Sequence, residues 1–147
     1  MNDSKVLLTY EDQEGNYKIE SVWAKRAGDY YIINNIPFFA SNIALGDIVS
    51  VTKDDGALYF EELINPSGDS TVQIIFLNVN DKKIVEKKLE NFGCTWEGSH
   101  LKNLIAVDIP KEVSYPIVKE YLDKGEKENK WSYREACLSD VHRELLR

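Results

Sequence analysis

Along the first half of the chain, apolar residues recur with a period of two. Tyr17, Ile19, Ser21 and Trp23 fall on one face of an extended run, and alternation of that kind marks a half-buried strand. The turn formers Ala27-Gly28-Asp29 lead into a second run over residues 30–33. Further runs occupy 47–52 and 57–64, and residues 6–10 form one ahead of them. Asp54-Asp55-Gly56 separates the last two runs. Asp-Gly predicts a tight hairpin, because the turn needs positive φ and glycine reaches it without steric cost. The pattern as a whole predicts four or five antiparallel strands in a meander, strongly twisted or closed into a small barrel.

Asn34-Asn35-Ile36-Pro37-Phe38-Phe39-Ala40 interrupts this series. A proline ahead of two phenylalanines excludes a regular central strand, so we expect a crossing segment. Extended backbone would send Phe38 and Phe39 to opposite sides, one sealing the barrel and the other facing the second half.

The turn formers Asn65-Pro66-Ser67-Gly68-Asp69-Ser70 mark a change of pattern. Beyond them, residues 71–77 read as a buried strand. A helix over about 81–92 follows, with Asn80 as N-cap, Gly93 past its end and Ile84, Val85, Leu89 and Phe92 as its apolar stripe. Lys82, Lys83, Lys87 and Lys88 lie mostly outside that stripe. A second strand over 104–109 stops at Pro110. Ser114 then caps a helix carrying Ile117, Val118, Tyr121 and Leu122 and ended by Gly125. Residues 124–130 read as an exposed loop. The Ser132/Glu135 spacing of a capping box predicts a last short helix.

Composition narrows the functional classes. The chain has 147 residues, 43% of them apolar, enough for one domain with a real core and no staples. Two cysteines, Cys94 and Cys137, are too few for a disulfide framework and are expected as free thiols. No signal peptide or membrane span is legible, and a cytoplasmic location is expected. The net charge of −7 is uneven: residues 1–70 hold 12 acids and 5 bases, residues 71–147 hold 13 of each. A protein that docks on phosphates carries the opposite balance, so direct nucleic-acid binding is not expected.

Catalytic chemistry finds little support. His100 and His142, the two histidines, sit in no metal spacing and near no nucleophile motif, and are expected to be solvated or helix-capping. The glycines form no phosphate loop. Asp54-Asp55 and Glu61-Glu62 are adjacent pairs, and neighbours on a strand face opposite ways, so neither makes a shared site. No metal and no cofactor are implied. The acidic half can instead offer a field. Asp47, Asp54, Asp55, Glu61 and Glu62, with Tyr59 among them, would steer a basic partner and give it an amphipathic contact surface.

Trp23-Ala24, Gly28-Asp29-Tyr30-Tyr31, Asn35-Ile36-Pro37-Phe38-Phe39-Ala40 and Leu45-Gly46-Asp47-Ile48-Val49 together resemble a bacterial family catalogued only as a domain of unknown function. Trp131-Ser132-Tyr133-Arg134-Glu135 is similar to that family's closing segment. The resemblance implies no reaction, cofactor or catalytic residue. It does imply small stand-alone bacterial proteins, some of them immunity proteins that neutralise a toxin from a neighbouring cell.

The expectation is therefore an α+β protein of one domain, residues 1–147. An N-terminal antiparallel meander or barrel over 1–69 packs on a C-terminal β-α-β-α unit over 70–147. Its expected function is non-enzymatic binding of a cognate toxin, a basic protein, through Asp47, Asp54, Asp55, Tyr59, Glu61 and Glu62. The alternative is a small-molecule-binding domain or small enzyme using the seam between the halves, with Phe38, Phe39, Trp96 and Trp131 as its lining. A third reading, a regulatory or structural subunit, would show itself by association through an exposed strand edge.

Overall fold

A computed structural model describes residues 3–147. The fold is α+β, built from two sheets and three short helices. The first sheet is a closed barrel of β1 (Asp3–Glu11), β2 (Tyr17–Ala27), β3 (Tyr30–Ile33), β4 (Ile48–Asp54) and β5 (Ala57–Asn65), in that order. Each strand is antiparallel to its chain neighbour. Five is an odd number, so the closing pair, β5 with β1, has to be parallel. It joins Val6 to Leu58 and Leu7 to Tyr59. The β4–β5 turn has both Asp55 (φ 51°) and Gly56 (φ 82°) in the left-handed region, the requirement that favours Asp-Gly there.

Alternation decides what enters the barrel. Val6 and Leu8 of β1, Val22 and Ala24 of β2, Tyr31 and Ile33 of β3 and Val49 of β4 fill its core, with Ala40 and Ile43 from the crossing segment. The other face of β2 points out. Tyr17, Ile19 and Trp23 are 77%, 55% and 48% exposed, so the apolar face legible in β2 is the solvent face.

The second sheet has the order β7-β8-β6-β9, from β6 (Ser70–Phe76), β7 (Thr95–Gly98), β8 (Leu104–Ile109) and β9 (Trp131–Cys137). All its pairs are antiparallel. With α1 (Lys82–Phe92) after β6 and α2 (Tyr115–Lys127) after β8, the chain order is β-α-β-β-α-β, a ferredoxin-like arrangement, and α3 (Asp140–Leu145) follows it. Both long helices lie on one face, where Val72, Ile74, Ile105, Val107, Val85, Leu89, Val118, Leu122 and Trp131 share a core.

This corrects the expected β-α-β-α unit, which lacked β7 and β9. Strand β7 has four residues and too few side chains to show a period. At β9 the Ser132/Glu135 pair belongs to a strand and caps nothing. Glu135 Oε2 instead accepts hydrogen bonds from Tyr115 Oη at 2.5 Å and Lys119 Nζ at 3.4 Å. The last helix is capped by Ser139, whose Oγ accepts the His142 N–H.

Two further details of the helices differ from expectation. Ile84 and Ile117 are 67% and 56% exposed, outside the core. Gly125 does not end α2 but is buried within it. A Cβ at this position would fall inside the Trp131 ring, so glycine is required here by close packing.

Candidate functional site

Residues 34–47 leave the barrel after β3 and cross the open face of the second sheet before β4 begins. Their backbone is held by side chains from both halves. Glu20 alone accepts the N–H groups of Phe38, Phe39 and Ala40, at 2.5, 3.0 and 2.9 Å. Such charge-assisted bonds are stronger than neutral ones. From the second sheet, Glu97 accepts the Ile36 N–H at 2.9 Å, and Gln73 donates to the carbonyls of Pro37 and Ala40. Thr71 donates to the Ile43 carbonyl, and the Asn42 N–H reaches the Ala136 carbonyl on β9. Burial raises the carboxyl pKa of Glu97, and the Ile36 N–H partly offsets it. The Asn-Ile-Pro-Phe-Phe-Ala sequence is thus a joint between the sheets.

The six expected contact residues separate into two groups. Asp47 is 2% exposed, and its carboxylate accepts the N–H groups of Ala44 and Ser67, each at 2.9 Å. Burial raises its pKa against those two hydrogen bonds. It closes a loop and is not on the surface. Asp54 and Asp55 stand exposed at the β4–β5 turn, and Glu61 and Glu62 are exposed further along β5, with Tyr59 half-buried. Glu61 is steadied by the hydroxyls of Thr52 and Ser50 at 3.0 and 3.5 Å.

What sequence reasoning missed is what lies beside these acids. Strands β5, β1 and β2 are neighbours, and their outward residues form cross-strand rows. Tyr59 pairs with Leu7, and Leu7 with Ser21. On either side of this row lie the pairs Lys5–Trp23 and Thr9–Ile19, and beyond the latter Glu11–Tyr17. Lys5 Nζ sits 5.1 Å from the Trp23 ring centroid, a cation–π contact. The outcome is a surface of Trp23, Ile19, Tyr17, Leu7 and Tyr59 interleaved with Lys5, Thr9 and Ser21, bordered by Glu11, Glu61 and the Asp54-Asp55 turn. The signal was the Tyr17/Ile19/Trp23 alternation itself; its direction required the closed barrel.

A second concavity lies at the seam. It is a groove of about 750 Å³. Its floor is the part of the second sheet that the crossing segment leaves open, with Gln73, Ile75, Ser132 and Arg134. One wall is the β1–β2 hairpin together with Phe38 and Phe39, and the other is the loop holding His100 and Leu101. Tyr10 stacks on Phe39, ring centroids 5.3 Å apart. Trp96 and Trp131 take no part. Both face the helices, where Trp96 Nε1 donates to Glu90 and Trp131 Nε1 to the Leu122 carbonyl.

The remaining reactive side chains are turned inward. His142 is fully buried, contrary to the expected solvated or capping role. Its Nδ1 lies 2.6 Å from Ser70 Oγ, and its Nε2 lies 3.0 Å from the Pro110 carbonyl oxygen, which can only accept. Nε2 therefore carries a proton. Cys94 and Cys137 are free thiols, and burial pushes both up to about 12, so neither is a ready nucleophile at neutral pH. Asp108 is buried, and its Oδ1 has no hydrogen-bond partner among the described residues. Burial first, then Asp69, Asp47 and Glu112, push its carboxyl up to about 8. No metal-binding group of His, Cys, Asp or Glu occurs among the described residues, and no helix there is long and apolar enough to cross a membrane.

Residues 20–133, from β2 to β9 and including the joint, match the family described as "Domain of unknown function (DUF4265)". The chain belongs to this family. A crystal structure of a hypothetical protein from Neisseria gonorrhoeae is similar over 95% of this chain and 97% of that one, with 32% identity and a TM-score of 0.87. The barrel and ferredoxin-like sheet of this DUF4265 chain are thus a shared architecture. No curated protein matches the chain.

Proposed function

We propose that this protein is a non-enzymatic binding module that docks a basic protein on the outer face of its barrel. The observation that supports it is the surface of Trp23, Tyr59, Leu7, Ile19 and Tyr17, exposed or half-buried on adjacent strands and bordered by acids. An alternating barrel strand ordinarily gives solvent its polar face. Here the face given to solvent is rich in Trp and Tyr, the residue types that anchor protein interfaces. The acids around it would draw in a positively charged partner and raise the association rate. The partner in this reading is a cognate toxin and the protein its immunity factor, acting in the cytosol without nucleic acid, membrane or cofactor. The acidic first half is what favours that finer identity.

The test is a comparison of captured proteins. Wild type and an Ile19→Asp/Trp23→Asp variant are used as bait in a lysate of the source strain, at low and moderate salt. We expect one protein, of basic sequence, to be held by wild type, released progressively by salt and lost from the variant. With that partner purified, Asp54→Lys, Asp55→Lys, Glu61→Lys and Glu62→Lys together should slow association at least tenfold and flatten its salt dependence. Equal capture by the two baits would move the interface off the barrel.

A further inference from the structure

Arg134 is fixed on the groove floor. Its Nε donates to Gln73 Oε1 at 2.9 Å and its Nη2 to the Phe39 carbonyl at 2.6 Å. Gln73 is itself held by its own bonds to the carbonyls of Pro37 and Ala40, at 3.2 and 3.4 Å. A guanidinium has five N–H donors in a rigid fork, so three are left on a side chain that lines the groove and is exposed. Among the described residues Arg134 pairs with no carboxylate, in a chain whose 25 acids outnumber its 18 bases. An immobilised, unpaired guanidinium is preorganised for a planar oxyanion, above all a carboxylate.

The surroundings narrow the ligand. Beside Arg134 the floor holds Ile75, 44% exposed although it lies on a strand otherwise buried throughout. The Tyr10–Phe39 stack forms a wall next to it. An apolar group is therefore wanted close to the oxyanion. Further along the same wall the β1–β2 hairpin carries Glu11 and Glu14, both exposed, which suit a cationic group further from the carboxylate. About 750 Å³, open to solvent, has room for several residues and an exit for the chain beyond them.

We propose that the groove binds the carboxyl terminus of a polypeptide. The terminal carboxylate lies on the free donors of Arg134, an apolar last side chain rests on Ile75 against Phe39 and Tyr10, and a basic residue upstream faces Glu11 and Glu14. Capture of a chain end by preplaced donors is a recurrent recognition mode. Glu11 borders both this groove and the barrel face, but Arg134, Ile75 and the Tyr10–Phe39 wall belong to the groove alone, and neither role depends on the other.

The probe is a pool of fluorescein-labelled hexapeptides ending in Leu, Ile, Val or Phe, with Lys or Arg at the third and fourth positions from the end. Each is made as the free acid and as the amide, and binding is read by anisotropy. We expect at least one free acid to bind saturably and its amide to bind at least tenfold more weakly. Arg134→Gln should cost at least tenfold. Because Arg134 also helps to hold the joint, Ile75→Asp is the second variant. It alters only the open floor and should abolish binding in a protein that melts as wild type does. Trp23→Ser, on the barrel face, should leave peptide affinity unchanged. The proposal is overturned if no free acid binds, if acid and amide bind alike, or if Ile75→Asp binds as wild type does.

Discussion

The barrel and the helix-covered sheet place their apolar residues in opposite ways. In the sheet half, thirteen buried residues of one cluster lie between the strands and two helices, from Val72 on β6 to Trp131 on β9. The barrel closes on a cluster of nine, including small residues such as Ala24 and Ala40. It leaves Tyr17, Ile19 and Trp23 outside. The pleat sends alternate residues of β2 out of the closed barrel, so Tyr17, Ile19 and Trp23 are turned to solvent and become available to a partner. The sheet half, covered on one face by helices and on part of the other by the crossing segment, leaves Ile75 open on the sheet itself, while other exposed apolar residues such as Ile84 and Ile117 stand on its helices. The larger core cluster thus lies in the sheet half, and the barrel carries Tyr17, Ile19 and Trp23 on one exposed strand face.

That contrast can be broken most severely at Gly125. Gly125→Ala forces a Cβ into the Trp131 ring and should cost about 3 kcal/mol or more, read as the shift of a urea midpoint at constant slope. A loss under about 1 kcal/mol would mean that the sheet core yields easily around Trp131 and is not the closely packed half. Asp47→Ala comes next. It strands the Ala44 and Ser67 N–H groups and should cost about 2 kcal/mol, showing that the barrel depends on its loop joint as well as on its small core.

Asp108 offers a pH-resolved test of the sheet half. Its folded pKa of about 8 lies above the unfolded value, so the native state binds the proton more tightly. The stability this provides is present in full below about pH 4 and is lost as pH rises towards 8. Wild type should therefore lose more than about 1 kcal/mol between pH 5 and pH 8.5 through this group, a slope that Asp108→Asn removes. Urea midpoints at the two pH values decide it; parallel losses in both proteins would assign the slope elsewhere. The smallest expected effect is on the barrel face. Ile19→Ser with Trp23→Ser should change stability by no more than about 0.5 kcal/mol, as surface substitutions do, while removing the partner contact. A larger loss would show that these residues belong to a core after all.

Much of this architecture was legible in the chain, and the misses share a cause. The barrel strands followed from period-two patterning and from Asp55-Gly56, whose left-handed turn is a local requirement. The strand β6, the helices α1 and α2 and Gly93 were legible for the same local reason. Strand β9 was not, because Ser132 and Glu135 have the spacing of a capping box and only Tyr115 and Lys119, brought from α2, give Glu135 another role. Asp47 resembled its acidic neighbours in composition, and only the fold of residues 44–67 showed that its oxygens are committed to backbone. His142 looked solvated in a charged tail until α3 packed it against Ser70 and Pro110.

By itself the sequence determined the α+β class, the split of charge between the halves, the hairpin turn, the helix periods and the break at Asn34 to Ala40. All of these are set by neighbours along the chain. Tertiary structure alone decided which face of β2 turns inward, that Glu20 and Arg134 grip the crossing segment from opposite sheets, and that an open groove remains beside it. Those outcomes depend on residues far apart in sequence, such as Phe39 and Arg134, 95 positions apart. Local pattern carries no information about which distant group will supply the missing hydrogen bond or occupy the limited space.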